Sequence, residues 1–187
     1  MKKRILSLAL SAAMALTMLP TGAFAAGDKG KPPVYNKATG CYEISTPDQL
    51  LYLSGSWKDG TPRDGHYVLT ADIDMTGVKG FKPIASKKEQ GFIGTFDGQF
   101  HAIKGLRVEY EKKYAGLFGY VGNQDDQAYI KDVALLDCYV TGQQNVGALA
   151  GVNYGTITGC VVTGEVKCLD LSNSHTAGGI CGKLKEG

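Results

Sequence analysis

The pentapeptide Ala115-Gly116-Leu117-Phe118-Gly119 recurs as Gly147-Ala148-Leu149-Ala150-Gly151 and as Gly178-Gly179-Ile180-Cys181-Gly182. The closing glycines of the three copies are 32 and 31 residues apart. A fixed period of this size indicates a repeat architecture, in which each unit is one supersecondary element stacked on its neighbours. The residues to which we assign a structural role in this repeat are Gly116, Leu117, Phe118, Gly119, Ala148, Leu149, Gly151, Gly179, Ile180 and Gly182.

A second periodic pattern, Ile-x-x-apolar, begins at Ile103, Ile130 and Ile157, and these isoleucines are 27 residues apart both times. It predicts that the three isoleucines are equivalent positions of successive units. By the same alignment Cys160 falls at the position of Val133 and Leu106, and Cys181 at the position of Phe118 and Ala150.

The repeat unit has the composition of β-strands. Short runs of Val, Ile and Thr such as 156–158 and 160–162 are separated by glycines, and no stretch keeps the i, i+3, i+4 apolar spacing of a helix. This excludes the helical repeat classes and leaves a β-solenoid, a propeller blade or a β-sandwich. A unit of this length with several glycines fits one coil of a parallel β-helix, with Leu117, Leu149 and Ile180 stacked in its interior.

The three glycine-rich segments resemble the GLUG motif, a short repeat of secreted bacterial surface proteins. Residues 42–50, 69–75 and 94–103 resemble the sequence that commonly precedes it. The resemblance implies a right-handed parallel β-helix of the adhesin-like type, which also occurs beside peptidase domains of the immunoglobulin A protease type. The second copy departs from the motif at Ala148 and Ala150, and the third at Cys181.

The N-terminus has the features of a secretory signal peptide. A basic start (Lys2, Lys3, Arg4) precedes a short apolar run, and Ala23-Phe24-Ala25 is a cleavage site of the A-x-A type. We predict cleavage after Ala25 and a secreted or cell-surface protein with no membrane span after cleavage. Loss of the three basic residues changes the formal net charge from +2 to −1, which argues against nucleic-acid binding.

The pattern divides the chain into four segments. Residues 1–25 are the signal peptide, 26–40 a flexible linker, 41–99 an N-terminal capping region, and 100–187 the GLUG-type repeats. In the capping region Thr46, Pro47 and Gln49 form a capping-box pattern that predicts a short helix over 47–54. Residues 66–75 read as one strand, 81–85 and 91–96 as shorter ones, and 123–127 as a projecting polar insertion.

The chain stops where the next coil is due to begin, after Gly182. Solenoids need atypical terminal repeats for solubility. We therefore expect that the sequence is a fragment of a longer repeat protein or that its last strand edge is paired with a partner.

Five cysteines follow the signal peptide: Cys41, Cys138, Cys160, Cys168 and Cys181. Their spacing contains no C-x-x-C pair and predicts no zinc site. Cys160 and Cys181 read as interior positions that hold a small apolar residue. A disulfide between neighbouring coils, such as Cys138 with Cys168, is left open. Cys181 between two glycines, with His175 nearby, superficially resembles a nucleophile elbow, but the same position holds Phe118 and Ala150 in the other copies.

Asp72, Asp74 and Asp97, with His101, are the candidate acid–base residues. The spacing of Asp72 and Asp74 predicts that both lie on one face of a strand, as paired acids of a glycosidase or lyase would. The alternative is that these carboxylates bond backbone amides at turns. Asp125 and Asp126 lack the alternating pattern of a calcium loop, and Gly116, Gly119 and Gly122 lack the lysine and helix of a phosphate loop.

The sequence thus predicts an all-β protein, a right-handed parallel β-helix with a short N-terminal capping helix, with no catalytic residue, cofactor or metal. Its predicted role is a non-catalytic, adhesin-like scaffold that binds a protein or glycan on a host or cell surface. The alternative is the N-terminal accessory region of a larger exported enzyme, either a peptidase of the immunoglobulin A protease type or a polysaccharide-degrading enzyme. A self-contained carbohydrate-active β-helix is a third reading.

Overall fold

The computed structural model describes residues 30–55, 61–170 and 176–185. The signal peptide and His175 lie outside these ranges. The described chain contains one α-helix, α1 (Pro47–Leu53), and a 3₁₀ turn at Lys88–Gln90. In chain order the strands are β1 Val34–Asn36, β2 Cys41–Ile44, β3 His66–Leu69, β4 Ile73–Asp74, β5 Thr95–Asp97, β6 Ala102–Lys104, β7 Arg107–Ala115, β8 Phe118–Val121, β9 Tyr129–Lys131, β10 Ala134–Gly147, β11 Ala150–Asn153, β12 Thr156–Thr158, β13 Val161–Cys168, β14 Ala177–Gly178 and β15 Cys181–Leu184.

The strands form a parallel β-solenoid of about four turns. The first sheet has the order β1-β2-β3-β5-β9-β12, the second β13-β10-β6-β4 with β7 and β14 also on β10, and the third β15-β11-β8. Every pairing is parallel except that of β1 with β2. The predicted fold class, a parallel β-helix with a short capping helix, is confirmed.

Side chains that alternate inward along each strand stack into ladders that form one core. Tyr67, Phe96 and Ile130 follow one another in the first sheet and are almost fully buried. Burial of aliphatic and aromatic surface is the main stabilising contribution to such a fold, about 25 cal/mol per Å² removed from water.

The second sheet adds the ladder of Ile73, Ile103 and Leu135. Leu117 and Leu149 stack at the corner that leads into the third sheet, as predicted, and both are fully buried. The Leu149 N–H donates to the Ile180 carbonyl oxygen, so that Ile180 is the next residue of this stack. Ile180 is 44% exposed because it lies in the last described coil.

The predicted helix is confirmed at its start by its caps. Thr46 Oγ1 accepts the Gln49 N–H, and Gln49 Oε1 in turn accepts the Ser45 N–H at 2.8 Å. Leu50, Leu51 and Leu53 are buried against the first coils. No helix of the described residues is long and apolar enough to cross a membrane.

Strand β1 lies within segment 26–40, which the sequence analysis assigned to a flexible linker. β1 pairs antiparallel with β2, the Tyr35 ring packs on Tyr42 at 4.9 Å, and the Asn36 amide donates to Glu43 at 2.7 Å. An antiparallel strand at the start of the first sheet covers the edge of β2, which would otherwise be open to aggregation.

The parallel ladder of the first sheet extends across position 99/100, where the sequence analysis placed the start of the repeats. β3 and β5 already belong to the ladder that β9 and β12 continue. The predicted strand 66–75 is two strands in different sheets, β3 and β4, joined by a corner. Of the predicted strands 81–85 and 91–96, only Thr95–Asp97 is a strand, while Ile84 and Phe92 form single bridges to β8.

The predicted equivalence of Ile103 with Ile130 and Ile157 is only half correct. Ile130 and Ile157 are in register, but Phe96 holds the position next to Ile130. A turn over 98–101, closed by the His101 N–H on the Gly98 carbonyl at 2.8 Å, carries the chain around the corner before Ile103. Ile103 therefore pairs with Leu135 in the second sheet. The coils differ in length, so the equal spacing of 27 residues between the three isoleucines does not mark equivalent positions.

Candidate functional site

The candidate acid–base residues lie at the corner between the first and second sheets. Asp72 precedes β4 in the turn, and its Oδ1 lies 3.0 Å from His101 Nδ1 and accepts the Ala102 N–H at 2.9 Å. The Ala102 N–H, helped by His101, lowers the pKa of the Asp72 carboxyl. The Asp72 side chain is 75% exposed. A solvated carboxylate held in its ionised form suits a turn anchor better than a general acid.

Asp74 and Asp97 are engaged separately. Asp74 Oδ1 accepts the Thr76 N–H at 2.9 Å, and Thr76 lowers the pKa of this carboxyl. Asp97 accepts the Gln99 N–H through Oδ1 and pairs with Lys131 Nζ at 2.7 Å through Oδ2. The predicted shared strand face of Asp72 and Asp74 is wrong, because Asp72 belongs to the corner and only Asp74 to β4. The alternative from the sequence, carboxylates that bond backbone amides at turns, describes all three.

Cys138, Cys160 and Cys181 lie beside equivalent residues of neighbouring coils, whereas Cys41 begins β2 and pairs with Asn36 of β1. Cys181 is in register with Ala150, and Ala150 with Phe118, as predicted. Cys160 lies beside Val133, as predicted, because the next residues, Val161 and Ala134, are paired. The pairing of Tyr139 with Arg107 places Leu106 beside Cys138 instead. Burial raises the pKa of the Cys138, Cys160 and Cys181 thiols, which disfavours the reactive thiolate.

The strand register contradicts the hypothesis, left open by the sequence, that Cys138 and Cys168 form a disulfide. Cys138 pairs with Gly164, whereas Cys168 pairs with Gly142, four positions further along β10. Four residues of strand span about 13 Å, beyond the reach of a disulfide. All five cysteines are free thiols. The elbow reading of Cys181 also fails, because this residue begins strand β15 rather than a strand-to-helix turn.

The repeat-motif residues build the corner between the second and third sheets. Phe118 and Ala150 are buried in register, and a Cβ on Gly116 would lie 2.7 Å from the Gly147 carbonyl oxygen. The closing glycines are in still closer contact with backbone: a Cβ on Gly151 would lie 2.6 Å from Tyr114 Cα, and one on Gly182 2.5 Å from Val146 N. At these positions the glycines of the motif allow the backbones of neighbouring coils to approach closely.

The polar insertion at 123–127 is exposed and folded by its own side chains. Asn123 Oδ1 accepts the N–H groups of Asp125 and Asp126, both at 2.8 Å, and its amide donates to Asp126. Within the described residues no group of three or more His, Cys, Asp or Glu side chains is arranged to hold a metal ion.

The structure reveals a groove on the outside of the second sheet that the sequence analysis missed. Its volume is about 950 Å³. One wall is β7 from Glu109 to Lys112 with Tyr139 and Thr141 of β10, and the other is formed by Ser54, Gly55, Lys82, Ser86 and Lys87. A recess of about 410 Å³ between 78–81 and Arg107 with Glu109 lies along the same strand.

The groove carries more positive than negative charge. Lys82, Lys87 and Lys112 line it together with Glu109 and Glu111. Glu109 is paired with Arg107 at 2.7 Å, and the Arg107 guanidinium lies 4.2 Å from the centre of the Tyr139 ring. The lysines of segment 79–88 are the signal in the sequence for this wall, although residues 81–85 were predicted to be a strand.

Comparison with known proteins gives partial matches. No protein-family model matches the chain. It is 32% identical over 151 residues to halomucin of Haloquadratum walsbyi, a match that covers 75% of this chain and 2% of halomucin. It is 33% identical over 101 residues to a candidate Gly-rich membrane protein of Evansella cellulosilytica, covering 49% of this chain and 11% of that protein. The chain thus spans a small part of the curated relatives it matches.

Among solved structures, the chain is similar to a candidate immunoglobulin A1 protease from Bacteroides ovatus. The TM-score is 0.41 at 18% identity, over 77% of this chain and 62% of that one. Independently of this similarity, the strand pairing of the described residues shows a parallel β-solenoid of about four turns.

Proposed function

We propose that this chain is an exported, non-catalytic binding scaffold, an adhesin-like region of a secreted or cell-surface protein built from GLUG-type repeats. The observation that carries the proposal is the groove of about 950 Å³ along the second sheet. Its walls belong to strands and to a hydrogen-bonded loop, so that it is formed before a ligand arrives. Ligand sites are typically preformed concavities of this size.

Two further observations support export to the surface. The N-terminal sequence has the organisation of a signal peptide. The relatives with significant similarity are named as halomucin and as a Gly-rich membrane protein. The engaged state of Asp72, Asp74 and Asp97 favours binding over catalysis, because each carboxylate is already used by a turn or an ion pair.

The binding function is tested with the purified mature protein on an array of immobilised glycans and serum glycoproteins. We expect specific retention that is lost when the groove charge is reversed by Lys82→Glu with Lys87→Glu. The matched control is Lys31→Glu with Lys37→Glu, two exposed lysines outside the groove. Equal retention by both double variants would overturn the role of the groove, and cleavage products in the eluates by mass spectrometry would overturn the non-catalytic assignment.

The alternative, an accessory region of a larger exported enzyme, has one observation in its favour, namely that the matched relatives are much longer than this chain. The intact mass of the product exported by the native cell separates the two proposals. A product of residues 26–187 supports a stand-alone binding module, whereas a much larger product with a catalytic domain supports the accessory role.

A further inference from the structure

In the part of the chain that the structure describes, one edge of β7 along the groove has no pairing strand. β10 pairs with β7 from Arg107 to Ala115 on one side. On the other side, no strand among the residues that the structure describes pairs with β7. The preceding coil leaves the second sheet after β4, which pairs with β6, and returns to the ladder only at Ile84, which bridges to Phe118. Among the residues that the structure describes, the second sheet is therefore interrupted by a gap on this side of β7.

The hydrogen-bond pattern shows which backbone groups face this gap. The Tyr139 N–H donates to the Leu106 carbonyl oxygen at 2.9 Å, so Leu106 directs its carbonyl toward β10. Along a strand, successive residues direct their N–H and C=O groups to opposite sides. Arg107 and Glu109 consequently point their backbone groups into the gap, where they line the groove and its recess.

The wall opposite β7 is held in place independently of any ligand. The Lys82 N–H donates to Ser54 Oγ at 2.7 Å, and the Gly55 N–H donates to the Lys82 carbonyl oxygen. The Ile84 N–H donates to the Leu117 carbonyl oxygen at 2.9 Å. The gap therefore persists as a preformed space, which lowers the ordering cost of binding.

The gap has the length and charge of a site for an acidic extended chain. Residues 107–112 extend over about 20 Å, enough for a strand of about six residues. Lys82 and Lys87 are exposed on the opposite wall, and Lys79 is exposed beside the recess. On the β7 side Glu109 is paired with Arg107, and Glu111 is balanced by its neighbour Lys112. An acidic occupant would be attracted to this wall.

We propose that the groove binds an extended acidic peptide of a partner protein, which adds to the second sheet as a strand beside β7. Strand addition to an exposed sheet edge supplies affinity through main-chain hydrogen bonds and specificity through alternate side chains. This inference rests on the proposed binding function and names the partner class of the same groove. A peptide is favoured over a glycan because free N–H and C=O groups at strand spacing match another strand.

The test is the affinity of the full mature protein for a fluorescein-labelled hexapeptide that alternates aspartate and valine, measured by fluorescence anisotropy. Two further probes are the same peptide with alternate amides N-methylated and a heparin hexasaccharide. We expect N-methylation on the pairing edge to weaken binding at least tenfold. We expect the same loss from Lys82→Glu with Lys87→Glu and no loss from Lys31→Glu with Lys37→Glu.

A backbone variant separates strand addition from charge attraction. Glu109→Pro removes the N–H that faces the gap but none that bonds β10, and proline is tolerated on edge strands. Its matched control, Glu109→Ala, loses the same carboxylate and keeps the N–H. Strand addition predicts at least tenfold weaker binding for Glu109→Pro than for Glu109→Ala, at equal folding by circular dichroism. It also predicts slower hydrogen exchange of the wild-type Arg107 and Glu109 amides when the peptide is bound.

Three results would overturn the inference: no peptide binding at millimolar concentration, equal binding of the N-methylated peptide, or tighter binding of heparin by the same lysines. These results would leave the binding scaffold standing if the glycoprotein array still retained the wild-type protein. Loss of array retention as well would remove the proposed function itself.

Discussion

At the scale of single residues, the repeated motif works through the absence of a side chain. Gly151 lies so close to the Tyr114 backbone that a Cβ would come within 2.6 Å of its Cα. Gly179 belongs to the same motif but at the position that Ala148 fills in the preceding copy, and a Cβ there would meet no atom within 4 Å. The two glycines belong to the same repeated motif, but only Gly151 is required for the close approach of two backbone segments.

We expect Gly151→Ala to destabilise the protein by about 1–3 kcal/mol, the usual cost of forcing extra volume into a packed interior. The cost arises because the added methyl must displace backbone rather than a flexible side chain. Gly179→Ala is the matched control and should change stability little. Urea unfolding followed by circular dichroism measures both; equal stability of the two variants would contradict the close-packing account of the corner.

At the scale of the elements, ladder register decides how much each strand contributes. Ile130 lies between Phe96 and Ile157 in the first sheet and is fully buried. Ile157 is in the same ladder but only half buried, since none of the described strands stacks on its other side. The two isoleucines thus have identical chemistry and the same inward orientation but different coverage.

We expect Ile130→Ala to cost about 2–5 kcal/mol of unfolding free energy, because it removes buried methyl groups and leaves a cavity between two coils. Ile157→Ala should cost less than half as much, since its site already borders solvent. Thermal and urea unfolding of both variants provide the measurement. A larger loss for Ile157→Ala would show that β12 is covered in the native protein.

At the scale of the whole molecule, aromatic side chains connect successive coils. Tyr120 contacts Tyr114 edge-on, with ring centres 4.9 Å apart, and stacks on Tyr154 at 6.1 Å. Burial of Tyr120, with the neighbouring tyrosines, raises the pKa of its phenol to about 12 from 10.0. The folded state thus keeps this phenol neutral where the unfolded chain would ionise it.

This shift predicts alkaline destabilisation. The stabilising contribution of neutral Tyr120 is complete below pH 10 and is lost as the pH rises toward 12, because only the unfolded state releases the proton in that window. Burial also raises the pKa of Tyr67 and adds to the same trend. We expect Tyr120→Phe to flatten the decline of unfolding free energy between pH 10 and 12, measured by urea titration at each pH. A decline of unchanged slope would refute the assignment to Tyr120.

The sequence by itself determined the fold class. The repeated Gly-rich corner, the β-branched runs and the capping box around Thr46 are local patterns, and they specified coils, inward positions such as Leu117 and Leu149, and helix α1. The alternation of inward and outward side chains along a strand and the capping of a helix each depend on a few neighbouring residues. Both can therefore be predicted from the sequence alone.

Only the tertiary structure decided which residues of neighbouring coils pair, which strand edges are covered, and where the groove lies. Whether Ile103 stacks on Ile130 or on Leu135 depends on how many residues each corner and loop consumes, and equal spacing in the sequence does not measure that. Strand β1 pairs with an edge of β2 that no other described strand covers. Asp72 and His101 are 29 residues apart in the sequence and come within hydrogen-bond distance only because two coils meet at the same corner. Among the described residues, the edge of β7 is likewise open because the preceding coil leaves the sheet there, which depends on two segments that are distant in the sequence.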